Sequence, residues 1–237
     1  IDELDADVAT ILPSAALTAA QGALLKMFDV VKIAVLETQS FLNNHGTEED
    51  MDIIKRNETM VNDVDKKITD YLIKVSVSPN MTQQDTQDVR LDLDTCKNLE
   101  RLGDLAINLG EFYLMVFQDK NGSFTDTAMH DINKMYEQFI NMFDLCAEIF
   151  VTKSPATTEV LRRLEDKMDD YEYTFREAHF SRMSHDQCSS AVAASVYCDI
   201  LGTLERMGDH CCNISRSATS STTTPDLSDD ESTTHKQ

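Results

Sequence analysis

Apolar residues recur at steps of three and four along almost the whole chain, and no segment sustains a two-residue alternation. Leu99, Leu102, Ala106 and Leu109 make one such seam; Leu201, Leu204, Met207, Cys211 and Ile214 make another. The breaks between seams hold residues that stop and start helices. Pro13-Ser14 opens a first helix over about 14–43, closed by Asn43-Asn44-His45-Gly46. Thr47-Glu48-Glu49-Asp50 puts acids on the first turn of a second helix that reaches about Val75. Ser78-Pro79-Asn80 interrupts, and a third helix runs from about Thr82 to Asp119. After the loop Lys120-Asn121-Gly122-Ser123, a fourth is expected over about 125–153, a fifth from Ser154-Pro155 to about Met183, and a sixth to about Ser217. With only 7 glycines and 4 prolines, the expected fold class is all-α, six helices in a bundle.

The six helices are two sets of three. Leu99-Glu100-Arg101-Leu102-Gly103-Asp104, with Asn108 following, returns as Leu204-Glu205-Arg206-Met207-Gly208-Asp209 with Asn213, 105 positions on. Glu58 to Asp65 matches Glu165 to Glu172 at 107, and Met27-Phe28-Asp29 matches Met142-Phe143-Asp144 at 115. A period this long marks duplicated units rather than a solenoid. The expected organisation is two tandem three-helix units, 13–119 and 124–217, then a Ser/Thr/Asp-rich tail over 218–237 too poor in apolar residues to order. Gly103 and Gly208 each cost about 1 kcal/mol of helix propensity against alanine. Their recurrence points to a close approach by a neighbouring helix.

Charge narrows the range of partners. The 42 acidic residues outnumber the 21 basic ones and leave a formal net charge of −21. Such a surface repels nucleic acid and anionic lipid and suits cations or a basic protein. The six cysteines lack metal-finger spacing, and the adjacent pair Cys211-Cys212 is poorly placed for two structural disulfides. Free thiols in a reducing cytoplasm are expected. Asn-x-Ser/Thr triplets at Asn57, Asn80, Asn121 and Asn213 read as chance matches, because three would put sugar on or beside a packed helix. No stretch approaches 18 consecutive apolar residues, and no signal peptide is expected. The chain begins with Ile, as a piece cut from a longer protein would.

Glu100 and Asp104 share a helix face roughly opposite the apolar seam, so an exposed acid stripe is expected there. Glu58, Asn62 and Asp65 flank the seam of the second helix, and Glu165, Asp169 and Glu172 repeat them on the fifth. In so acidic a chain, carboxylates four apart usually form only a solvated face. Four paired clusters weigh against that reading, since like charges at i and i+4 destabilise a helix and a hard cation would relieve them. Local salt bridges from Arg101 and Arg206 are the rival explanation.

Enzyme chemistry finds little purchase. No histidine completes the Glu-x-x-His pairs of a di-iron bundle, and there is no phosphate loop, nucleophile elbow or Cys/His couple. His210 points away from Asp209 and its counterpart is Leu105; His179 reads as a satisfied surface or interface histidine. Exposed carboxylates of ordinary pKa are poor acid–base catalysts at neutral pH. The expectation is a non-enzyme.

The doubled Leu-Glu-Arg-(Leu/Met)-Gly-Asp-x-x-x-Asn motif on paired three-helix units resembles PhoU, the bacterial phosphate-uptake regulator. The stretch from Pro13 through Met27 and on to Asn57–Leu72 resembles more closely the PhoU-like cytoplasmic domain of bacterial sodium/phosphate cotransporters. The resemblance covers about residues 13–215. It implies multinuclear metal sites for divalent or trivalent ions (iron, manganese, zinc or nickel) on one surface. Carried over, the first site uses Glu58, Asp65, Glu100 and Asp104, and the second Glu165, Asp169, Glu172, Glu205 and Asp209. Asn62, Asn108 and Asn213 are additional candidate ligands. Asn62 stands where the pattern has an acid, which removes one charge from the first site. The implied role is regulation of phosphate homeostasis by contact with a phosphate transporter, a membrane-spanning part of the same chain, or a sensor kinase. A second copy of the chain is a further candidate partner. The implied location is the cytoplasm, free or tethered to the inner face of the membrane. The contrasting expectation is a structural or scaffolding bundle whose acids are only solvated surface.

Overall fold

A computed structural model describes residue 4 and residues 12–185, 187–188 and 190–220. Its elements are α1 (Pro13–Asn43), α2 (Glu48–Ser76), α3 (Gln83–Gln118), α4 (Asp126–Thr152), α5 (Pro155–Ser184) and α6 (Ala191–Ser220). Among the described residues every regular element is a helix, as the periodicity predicts.

The start signals work as caps. The Asp50 carboxylate accepts from the Thr47 amide at 2.8 Å, and Asp85 does the same for Thr82. Thr125 and Ser154 accept from the amides of Ala128 and Thr157, with Pro155 fixing the first turn of α5. At the far end α6 overruns the expected boundary. It continues to Ser220, with Ala218 fully buried and the Thr219 hydroxyl donating back to the Ser215 carbonyl at 2.9 Å. The tail expected from 218 therefore contributes one more helical turn to the core, and its residues 221–237 lie outside the described residues.

Helices α1, α2 and α3 pack on one another, as do α4, α5 and α6. The two units are joined by α3 against α6 and α1 against α4, and their interiors merge into one hydrophobic core. The motif helices α3 and α6 are thus the central pair. Between α1 and α4, Phe28 meets Phe143 and Phe150. Buried hydroxyls link three helices there: Thr38 to Tyr136 at 2.8 Å, and Tyr136 to Tyr113 at 2.9 Å. Every residue of both predicted apolar seams is buried.

The two motif glycines sit at close approaches. A Cβ on Gly103 would lie 3.1 Å from Val61 Cγ1, and one on Gly208 3.1 Å from Met142 Cε. The neighbours differ in compliance, because Met ends in a flexible thioether whereas Val is stiff about χ1. Gly208→Ala should therefore keep most of the helix-propensity gain, about 0.5–1 kcal/mol. Gly103→Ala should lose it to strain. Chemical denaturation of the two variants tests the difference, and equal shifts would contradict it.

Candidate metal centre

The second acid cluster is built by α5 and α6. Leu161 and Met168 on α5, with Leu204 and Met207 on α6, bury the seams that hold the helices together. Glu165, Asp169 and Glu172 follow at helical spacing along α5, and Glu205 and Asp209 sit one turn apart on α6. These carboxyls act on one another across the gap. Glu205 is pushed up to about 7, first by burial and then by the charges of Asp209, Asp169 and Glu172. Burial followed by Asp209 raises Asp169, and burial followed by Asp169 and Asp209 raises Glu165. Of the stripe expected to be exposed, Asp104 is exposed and Glu100 half-buried, while its repeat, Glu205 and Asp209, is half-buried against α5. Among the described residues no three His, Cys, Asp or Glu side chains converge into a ready-made cage. Like charges repel, so such a set closes only around a counter-ion. Five carboxylates on two adjacent helices are hard oxygen donors, the ligand type that multivalent cations take.

The first cluster is organised differently. Burial and the charge of Asp104 raise Glu100, with a smaller contribution from Asp65. Glu58, however, accepts from the Asn62 amide at 2.5 Å. Asp65, nearly buried, receives the Lys97 ammonium at 2.7 Å and the Cys96 thiol at 3.3 Å. Of the additional candidate ligands, Asn62 is bonded to Glu58 within the first cluster. Asn213 accepts from Arg216 at 3.0 Å, and Asn108 is exposed.

The rival role assigned to the motif arginines is not what they do. Arg206 donates to the Gly202 carbonyl and the Thr203 hydroxyl rather than to an acid. Among the described residues Arg101 forms no ion pair. The cations that do meet the clusters are Lys97, reaching from α3 to α2, and Arg176, which pairs with Glu172 on its own helix. Sequence reading passed over both. The available signal was Lys97 standing where the repeat has Gly202.

Three further side chains correct or refine expectations. His179 is no surface residue: it is buried, bonded to the Ala194 carbonyl at 3.0 Å and stacked 4.4 Å from Tyr197. His210 bridges the units through Asn98 at 2.8 Å. All six cysteines are free, and Cys211 is buried beside Cys146, which raises its pKa well above the ordinary thiol value.

Two pseudo-equivalent three-helix units, central motif helices in contact and acids along their flanks, define a class of duplicated all-α bundle. Residues 132–218 match the family model for the PhoU domain, from within α4 to within the last turn of α6. Over 161 residues the chain is 22% identical to phosphate-specific transport system accessory protein PhoU homolog 1 of Thermotoga maritima, covering 68% of each chain. Over 125 residues it is 18% identical to the putative inorganic phosphate export protein YjbB of Salmonella typhimurium, 53% of this chain but 23% of that protein. Among solved structures, the phosphate transport system regulatory protein PhoU from Streptococcus pneumoniae superposes with a TM-score of 0.79 at 18% identity, over 92% of this chain and 99% of that one. PhoU from Pseudomonas aeruginosa gives 0.76 at 17%, over 86% and 96%. The second unit is thus similar to the PhoU domain, and the chain as a whole shares the fold of the two PhoU structures.

Proposed function

We propose that this chain is a metal-binding regulatory module of phosphate transport, acting through contact with a phosphate transporter or its signalling kinase rather than by catalysis. The observation that carries the metal is the facing of α5 and α6 acids at Glu165, Asp169, Glu205 and Asp209, close enough to oppose one another's ionisation. Bound there, an iron, manganese, zinc or nickel ion would neutralise the repulsion and lock α5 to α6. The phosphate link is supported by the PhoU domain match and by relatives named for phosphate transport and export. No helix among the described residues is long and apolar enough to cross a membrane. The match to part of a much longer export protein supports a module that is joined to a transporter and held at its cytoplasmic face.

The test is Glu205→Ala with Asp209→Ala, read by circular dichroism, metal content and cellular phosphate uptake. The bundle should stay folded, since removing like charges costs a helix nothing. Bound metal should be lost and phosphate control disturbed. A folded variant with the parent's metal content and normal phosphate control would leave the scaffolding reading in its place.

A further inference from the structure

One stripe of α3 carries polar groups into the core. Asp88, Asp92 and Thr95 stand at i, i+4 and i+7 and so share one face of the helix. At the equivalent places of α6, 105 positions on, are Ala193, Tyr197 and Ile200, all buried. The second unit packs hydrocarbon there, with one tyrosine whose hydroxyl is bonded to Asp131; the first packs oxygen donors. Asp92 and Thr95 have no solvent exposure, and neither the Asp92 carboxyl oxygens nor the Thr95 hydroxyl have a hydrogen-bond partner. Buried polar groups are normally paired, and an orphaned set of this kind is what a water or an ion satisfies.

Charge selects between the two. Asp88 is already matched, by the Lys153 ammonium at 2.9 Å from the left-handed C-cap of α4. Asp92 has no such partner: burial and then Asp88 oppose its ionisation, against smaller effects from Gln21 on α1 and from Lys153. A neutral water would leave the one negative charge of Asp92 uncompensated, and a divalent ion would overshoot it. The donors are hard oxygens: both of the Asp92 carboxylate, the Thr95 hydroxyl, and the Gln21 amide, which presents its oxygen by turning about its last bond.

We propose that Asp92, Thr95 and Gln21 form a buried site for one monovalent alkali cation, at the junction of α1, α3 and the end of α4 where the two units meet. The site is separate from the acid clusters of the motif helices and does not depend on their taking up metal. A proton holds the carboxylate at low pH, and the cation takes its place as the pH rises.

Thermal unfolding of the full chain is followed by circular dichroism at pH 9 and pH 5 in sodium, potassium and choline chloride. Equal ionic strength keeps general screening the same throughout. At pH 9, sodium or potassium filling about four-fifths of the site should raise the melting temperature by about 2–4 °C over choline. The larger rise identifies the cation that fits. At pH 5 the three salts should give one value. Asp92→Asn should abolish the difference at pH 9. Thr95→Val keeps the carboxylate and the side-chain shape but removes one oxygen donor, so it should diminish the difference while the chain stays folded. A parent that melts alike in all three salts at pH 9 would overturn the proposal and leave Asp92 to a proton or a water alone. A cation effect of undiminished size in Asp92→Asn would overturn it too, by placing the ion on the surface acids.

Discussion

Asp92→Asn is expected to stabilise the protein at pH 8 and to change it little at pH 5, because the buried carboxyl must hold a proton that asparagine does not need. Asp92 lies on α3 with no solvent exposure, and neither carboxyl oxygen has a hydrogen-bond partner. Burial, then the neighbouring charge of Asp88, pushes its pKa up to about 8, against smaller opposing effects from Gln21 and Lys153. The folded chain therefore holds a proton that the unfolded chain releases near 4. Between those values folding takes up a proton, so stability falls as pH rises from about 4 to about 8 and then levels off. Asparagine is neutral throughout and removes that slope. Urea unfolding of parent and variant at pH 5 and pH 8 measures it, and a difference that does not grow with pH would refute the assignment.

Asp131→Ala is expected to do the opposite, destabilising the bundle by about 3–5 kcal/mol. Asp131 is also a buried acid, on α4, but it is fully engaged. It accepts the Tyr197 hydroxyl at 2.8 Å and faces Arg182 at 3.5 Å, whose guanidinium lies 5.4 Å from the Tyr197 ring. Removing the carboxylate leaves a nearly buried arginine without its counter-charge and a buried tyrosine without its acceptor. Denaturant midpoints at pH 7 report the loss, and a shift below about 1 kcal/mol would show that Arg182 finds another partner. The duplication makes the contrast sharper. Asp92 occupies in the first unit the place that Tyr197 holds in the second, and Val75 occupies the place of Arg182. One unit satisfies its buried acid; the other leaves it to carry a proton.

The architecture was legible because its cause is local. Helix periodicity, Pro and Gly breaks and the caps at Thr47, Thr82, Thr125 and Ser154 all act within a few residues, so the order of six helices and most of their ends could be read directly. The repeat was legible for the same reason, since a duplicated motif keeps its spacing whatever surrounds it, and Gly103 and Gly208 announced their close neighbours by recurring. The end of α6 was misjudged because a Ser/Thr-rich composition describes solvent preference, whereas Ala218 is held by the core it reaches.

What the clusters hold was decided between helices. Glu205 is half-buried with a raised pKa because α5 lies over it, and no periodicity along α6 contains that neighbour. Lys97 meets Asp65, and not the adjacent motif acid, because α2 and α3 cross there; Arg206 turns back onto its own helix for want of such a partner. Asp92 and Asp131 are ordinary letters in a chain with 42 acids, and their opposite fates depend on which side chains two other helices bring within reach. Sequence alone determined the helices, their duplication and the acids each unit carries, because backbone hydrogen bonding and apolar spacing are short-range. Only the tertiary structure decided which acids are paired, which repel and which hold a proton. Charge interactions and desolvation depend on distance in space, and that distance exists only once the helices have packed.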